Sequence, residues 1–316
     1  MIDIFFKDIV KAHELIRPFI TKTPVMNSRS IDEIAGCQIF FKCENFQKAG
    51  AFKFRGATNA VMSLSDDMAS KGVCTHSSGN HAAALALAAK LRNIKALVVM
   101  PKNAPLVKKE NVRSFGAEIF DVEPTLKARI EGLEKVVAQT GAVFIHPYDN
   151  PSVIAGQGTA IKELMEEIGL MDAVITPVGG GGLLSGTSIA SHGMFPEIEV
   201  YAGEPAGADD AFRSLKENRL LSMENPQTIA DGLRTSLSER TFSIIKSNVK
   251  AILPVEDELT LTAMKMVYDE LDIIIEPSSA VPLAAILKNR EIFARKKVGL
   301  VISGGNVDRS QYDWLS

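Results

Sequence analysis

Val174-Ile175-Thr176-Pro177-Val178, Gly179-Gly180-Gly181-Gly182 and Leu183-Leu184-Ser185-Gly186-Thr187 follow one another directly: an apolar β-type run, four glycines and a helix opening. That order gathers several backbone N–H groups at one helix start, where the missing Cβ atoms let an anion such as a phosphate approach. A plain turn needs one or two glycines, and four in a row carry an entropic cost that a turn alone does not justify. The stretch also nearly fits a dinucleotide fingerprint, Gly180-x-Gly182-x-x-Ser185 with Glu204 at the end of the next strand. A nicotinamide-dependent dehydrogenase therefore stays open on spacing alone.

Outward from this loop, short β-rich runs recur at Gln38 to Cys43, Val73 to His76, Ala96 to Met100, Glu118 to Val122, Val143 to His146, Glu199 to Ala202 and Val298 to Ser303. Between them lie helical patterns: an Ala/Leu-rich run from Ala82 to Leu91, an amphipathic one from Leu126 to Gln139, and Ile161 to Ile168 closed by Gly169. Strands alternating with helices predict an α/β fold with open, mostly parallel sheets. Ligands of such sheets collect beyond the strand C-termini. Two more polar loops stand at such ends, Thr75-His76-Ser77-Ser78-Gly79-Asn80-His81 and Ser303-Gly304-Gly305-Asn306. Helix capping accounts for any one of the Ser or Asn residues, but five polar or glycine residues in succession exceed what a cap needs. Free N–H groups at that helix start attract a carboxylate, Asn80 can donate to a phenolic oxygen, and Ser78 can carry a proton.

Lys53 lies in Phe52-Lys53-Phe54-Arg55-Gly56-Ala57. Between two aromatic rings an ammonium loses hydration, which favours the neutral nucleophilic amine, although a snorkelling surface lysine is the plainer reading of the hexapeptide alone.

The 316 residues carry a net charge of -3, with scattered bases, which points to neither nucleic acid nor an anionic membrane. Three cysteines without paired spacing, Cys37, Cys43 and Cys74, argue against a disulfide framework or a zinc site. With no membrane-length apolar run and an acidic start, the expectation is a cytoplasmic protein acting on a small molecule.

Together the Lys53 hexapeptide, Ser77-Ser78-Gly79-Asn80-His81, the tetraglycine loop and Ser303-Gly304-Gly305-Asn306 resemble the fold-type II pyridoxal-phosphate enzymes of the serine/threonine dehydratase family, most of all its serine racemase branch. Phe41-Lys42-Cys43-Glu44, Ile154-Ala155-Gly156-Gln157-Gly158-Thr159, Thr228-Ile229-Ala230-Asp231-Gly232 and Glu276-Pro277 extend the likeness over roughly residues 5 to 309. The resemblance implies the tryptophan synthase β-like fold, with a large domain of residues 1–71 and 150–316 and a small mobile domain of residues 72–149.

It further implies that Lys53 holds pyridoxal 5'-phosphate as an imine beside Phe52. Gly179, Gly180, Gly181, Gly182 and Leu183 would hold the phosphate, Asn80 the pyridine hydroxyl, and Ser303 would face the pyridine nitrogen. Substrate would fall to Ser77, Ser78, Asn80, His81, Arg129 and Thr235, with Lys53 and Ser78 as proton carriers on opposite faces. Glu204, the Ala208 carbonyl and Asp210 would bind Mg²⁺, or Mn²⁺ or Ca²⁺, since oxygen ligands suit such cations. The implied activity is racemisation of serine and dehydration of L-serine or threonine to a keto acid and ammonia, by a homodimer. L-Threonine dehydratase, threo-3-hydroxyaspartate dehydratase and a non-catalytic cofactor-binding sensor are the alternatives. Lys48 and Lys108 match nucleotide contacts of the mammalian racemases, but Phe115, Tyr148 and Ala83 replace the Tyr, Asn and Gln expected there. ATP activation is not expected.

Overall fold

The computed structural model describes residues 3–77, 79–104 and 106–315. Among the described residues ten strands form two sheets: β1 (Val25–Met26), β2 (Gln38–Cys43), β3 (Val73–His76), β4 (Ala96–Pro101), β5 (Glu118–Val122), β6 (Val143–Phe144), β7 (Ala173–Pro177), β8 (Glu199–Pro205), β9 (Ala251–Val255) and β10 (Lys297–Ile302). One sheet has the order β1-β2-β10-β7-β8-β9 and the other β5-β4-β3-β6. All neighbours are parallel except β1 on β2. The continuous apolar runs are explained by this: parallel strands are covered on both faces, and β7 and β10 are buried almost throughout.

Two strands escaped the sequence pattern. β1 has only two residues, and β9 contains Pro254, which argues against a central strand but is tolerated at the sheet edge that β9 forms. The helix over Ile161 to Ile168 begins much earlier, at Pro151, because the Asn150 side chain caps the N–H groups of Ser152 and Val153 and proline suits the first helical turn. Its end at Gly169 is as expected, with φ 81° there.

The Pro151–Ile168 helix carries the Ile154 to Thr159 string and crosses two others at backbone distance. A Cβ on Gly156 would stand 2.6 Å from the Gly56 Cα, and one on Gly186 would stand 2.4 Å from the Ile154 carbonyl oxygen. Three helices, Lys53–Met62, Pro151–Ile168 and Gly182–Met194, are thereby locked into one block. The Gln157 amide oxygen accepts the Gly56 N–H at 3.1 Å, which fixes the height of the first helix.

Below Lys53 the same block holds a buried ionic cluster. Arg55 donates to both oxygens of Glu44 at 2.7 and 2.8 Å and to both of Glu163 at 2.9 and 2.8 Å. Lys42 reaches Glu163 at 2.9 Å, and His13 reaches it at 3.2 Å. Lys42 and Glu44 of the Phe41 to Glu44 string thus anchor the lysine-bearing helix to the large sheet. Two cations face two carboxylates, so the charges of the innermost four groups cancel. No helix among the described residues is long and apolar enough to cross a membrane.

Candidate active site

Lys53 opens the Lys53–Met62 helix, just beyond the end of β2. Its amine donates to the Pro147 carbonyl at 3.0 Å and lies 5.1 Å from the centre of the Phe52 ring. Burial lowers its pKa to about 8, against an opposing pull from the Glu276 carboxylate. The lysine is therefore not a snorkelling surface residue.

The three loops meet around it. The Phe52 N–H donates to the Ser303 carbonyl at 2.9 Å, and Ala51 bridges to Gly304. Asn80, first residue of the Asn80–Arg92 helix, donates to both oxygens of Glu276 at 2.9 and 3.1 Å. Asn306 donates to the Asn80 carbonyl oxygen at 3.0 Å. The Ser303 and Ser279 hydroxyls are 2.9 Å apart. Ser279 gives its one proton to the Gly304 carbonyl at 2.7 Å, so Ser303 is the donor in that pair and keeps its own lone pairs.

The tetraglycine loop joins through Tyr148, the residue after Pro147. A Cβ on Gly180 would meet the Tyr148 ring at 2.3 Å, and one on Gly182 would meet the Tyr148 Cβ at 2.9 Å. Gly181, at φ 84°, is the residue before the Gly182–Met194 helix. Leu233 backbone and the Thr235 hydroxyl close on Gly179, at 2.9 and 3.2 Å from where its Cβ would be. Thr228 and Ile229 of the Thr228 to Gly232 string are held by Asp257, which sets this wall. The glycines are thus required by the tyrosine and the Leu233 segment as well as by any anion.

His81 is buried at 2% exposure, with Nε2 3.2 Å from the Ile145 carbonyl and Nδ1 without a partner. Burial, and next the Lys53 charge, push its pKa down to about 3, so the ring is neutral and carries its proton on Nε2. Ser77 accepts the Gly79 N–H at 3.4 Å. Arg129 lies on the Leu126–Thr140 helix; its Nε is buried and unpaired, and its charge adds to burial in depressing His76. Ser78 lies outside the described residues.

Glu204, at the end of β8, accepts the Ala211 and Phe212 N–H groups at 2.9 and 2.8 Å. With both oxygens capping a helix it is not placed as a ribose ligand. Asp210 opens that same helix with Oδ2 buried and unpaired, and Ala208 is buried beside it. Burial raises both carboxylates, Glu204 well above its usual range and Asp210 to about 6. Among the described residues there is no cluster of three His, Cys, Asp or Glu side chains able to hold a metal.

Residues 16–304 match the family model described as "Pyridoxal-phosphate dependent enzyme". The chain belongs to this family. It is 50% identical over 309 residues to a beta-hydroxyaspartate dehydratase of Paracoccus denitrificans, covering 98% of each chain. It is 49% identical over 314 residues to a serine racemase of Dictyostelium discoideum, covering 98% of this chain and 97% of that one. A maize serine racemase structure superposes with a TM-score of 0.96 at 44% identity, covering 98% of this chain and 95% of that one. The dehydrogenase alternative is excluded with the match.

Pyridoxal phosphate fits the residues present. The tetraglycine loop leads into a helix whose first turn contains Ser185, a buried hydroxyl without a partner. An amine with a lowered pKa stands across the Pro147–Tyr148 turn from that loop, and Ser303, bonded to the Phe52 N–H through its carbonyl, and Asn80 supply neutral polar groups on the Phe52 and Glu276 side. A divalent cation fits less fully: it would satisfy the orphaned Asp210 oxygen but would share Glu204 with the helix it caps. Two residues at the site were not singled out from sequence, Tyr148 as its wall and Glu276 as the partner of Asn80. Glu276-Pro277 was visible only as a likeness.

Proposed function

We propose that this pyridoxal-phosphate-dependent enzyme racemises serine and dehydrates β-hydroxy amino acids, converting L-serine to pyruvate and ammonia. The observation that carries this reading is the Lys53 amine, buried among the three loops with its pKa lowered to about 8. When bound, the cofactor supplies an electron sink for negative charge at the substrate Cα.

The chain's own residues divide the remaining work. Lys53 Nζ is the base for the Cα proton on its face, and its lowered pKa brings a useful fraction of free amine near neutral pH. Ser78 Oγ carries a proton on the opposite face, which permits return of the enantiomer. The free N–H groups at the start of the Asn80–Arg92 helix, with Ser77, bind the substrate carboxylate. His81 takes part through its backbone and by packing, since its ring is committed to Ile145. Gly179 to Gly182 and Leu183 hold the phosphate, Asn80 donates to the pyridine hydroxyl, and Ser303 faces the ring nitrogen with a neutral hydroxyl. Thr235, against Gly179, borders the substrate.

A second reading, dehydration of threo-3-hydroxyaspartate to oxaloacetate and ammonia, is favoured by the unpaired Arg129 Nε, which would pair a second carboxylate. The dehydratase relative is in keeping with it. Glu204, Ala208 and Asp210 are assigned to a divalent cation of structural role, residues 72–149 to a mobile small domain, and the working form to a cytoplasmic homodimer. Incubation of the holoenzyme with L-serine, L-threonine and threo-3-hydroxyaspartate, following keto acid and D-serine separately, tests the reading. Turnover of serine or hydroxyaspartate supports it; no turnover of any of the three refutes it.

A further inference from the structure

Glu276 is a carboxylate at 5% exposure, placed before the Pro277–Lys288 helix. Its two oxygens receive Asn80 Nδ2 at 2.9 and 3.1 Å. A carboxylate that accepts from both oxygens leaves an amide no choice of end: the NH₂ of Asn80 must face Glu276. The other end is fixed independently. Asn306 donates to the Ala49 carbonyl at 2.8 Å, so its NH₂ group lies on this side and donates to the Asn80 oxygen at 3.0 Å. Asn306 donates both to Ala49 and to Asn80, and Asn80 donates on to Glu276, so the donor and acceptor ends of both amides are fixed.

The groups facing Glu276 come from four elements. Asn80 and Lys53 are in the opening turns of their helices, Asp231 is in the short turn Asp231–Leu233, and Lys108 of the Leu106–Ser114 helix bonds Asp231 at 2.5 Å. Burial raises the Glu276 pKa to about 7; the Asn80 bond opposes this, Asp231 reinforces it, and Lys108 and Lys53 oppose it. The carboxylate also stands against the segment that leads into Lys53, since a Cβ on Gly304 would lie 2.8 Å from its Oε1 and 3.0 Å from the Ala51 Cβ, and from there its charge pulls Lys53 upward against the effect of burial.

We propose that Glu276 is a positioning residue for the reaction: it fixes the NH₂ end of Asn80 by a hydrogen bond shared between its two oxygens, which leaves the second N–H of that end for a phenolic oxygen, and it supplies the negative charge that faces the Lys53 amine. Asn80 then presents a donor and never its carbonyl to a phenolic oxygen, and Lys53 is kept from losing its proton too early. The proposal rests on Lys53 and Asn80 being the cofactor contacts.

Two conservative variants separate the two parts. Glu276→Gln keeps an acceptor for Asn80 and removes the charge; Glu276→Asp keeps the charge and withdraws it from Asn80. In the cofactor-free full chain, the pH dependence of Lys53 modification by an amine-reactive reagent, read on the Lys53 peptide, should move to lower pH in Glu276→Gln, with several-fold faster modification at pH 7. Glu276→Asp should keep the parent midpoint, while its holoenzyme should lose cofactor several-fold faster and show an altered cofactor absorbance. An unchanged Lys53 midpoint in Glu276→Gln, or parent-like cofactor retention and absorbance in Glu276→Asp, overturns the proposal. A failed cofactor assignment would show differently: borohydride would leave the parent Lys53 peptide unlabelled while the midpoint shift remained.

Discussion

The Lys53 amine donates to the Pro147 carbonyl at 3.0 Å across the space between two sheets. Pro147 follows β6 of the four-stranded sheet, while Lys53 follows β2 of the six-stranded one. The next residue, Tyr148, packs on the tetraglycine loop after β7. One turn of backbone therefore sets the distance between the reactive amine and the anion cradle.

That arrangement makes Gly180 intolerant of a side chain. Gly180→Ala would place a methyl group within the Tyr148 ring, at 2.3 Å from its nearest atom. Displacement of the ring should cost about 1–3 kcal/mol of stability and weaken cofactor binding about tenfold, equivalent to ~1.4 kcal/mol. Thermal unfolding and cofactor titration check both numbers, and adding Tyr148→Ala should recover part of the stability loss. Parent-like values for Gly180→Ala alone would show that the ring is not a fixed wall.

The cluster beneath Lys53 should govern acid stability. Arg55→Met leaves Glu44 and Glu163 buried without their bidentate partner and should cost about 3–5 kcal/mol. Burial pushes Glu163 upward, but the His13 contact and the Arg55 bonds outweigh it and hold the carboxyl below its usual range. A folded-state pKa below the unfolded one gives stability that is complete above ~4.3 and lost as pH falls further. The gap between parent and variant, measured by urea unfolding, should thus narrow as pH drops from neutral through about 4. A constant gap would contradict this.

For the cation, Asp210→Asn removes one of the two buried carboxylates from the Glu204 and Asp210 pair. Mg²⁺ at a hundredfold excess over its dissociation constant should stabilise the parent by about 2.7 kcal/mol. The variant should gain little. Equal melting curves for the parent with and without Mg²⁺, Mn²⁺ and Ca²⁺ would reduce the acidic turn to a helix cap.

Ser78→Ala distinguishes the two proton carriers. Lys53 still removes the L-serine proton, so pyruvate formation should persist while D-serine formation and elimination from D-serine fall by about 10²-fold or more. A parallel loss of both products would make Ser78 a binding residue.

The sheets and the three loops were legible because local composition dictates them. β3 and β5 occupy the ranges read from their apolar runs, since those runs end at glycine or at polar residues. Gly179 to Gly182 announced themselves by unusual local composition, whereas Lys53, a plain surface lysine on its hexapeptide alone, stood out only beside the other loops. Glu276 did not: its partner Asn80 is 196 residues away, and neither residue signals the other. Tyr148 was hidden likewise, because only the folded chain brings its ring to Gly180. His81 is a polar residue in a site-like string whose ring is spent on a backbone carbonyl, which the string itself does not signal. Pro254 hid β9 by a rule that holds for central strands and lapses at an edge.

The central claim is that the amine of Lys53 carries the cofactor. Borohydride reduction of the purified holoenzyme, followed by peptide mass analysis, tests it most directly. The account predicts a yellow protein whose colour is lost on reduction and whose cofactor mass is fixed on the Lys53 peptide. It predicts no such label in Lys53→Ala, which should lose every activity as well. A colourless protein, or a label fixed on any other lysine, would contradict it.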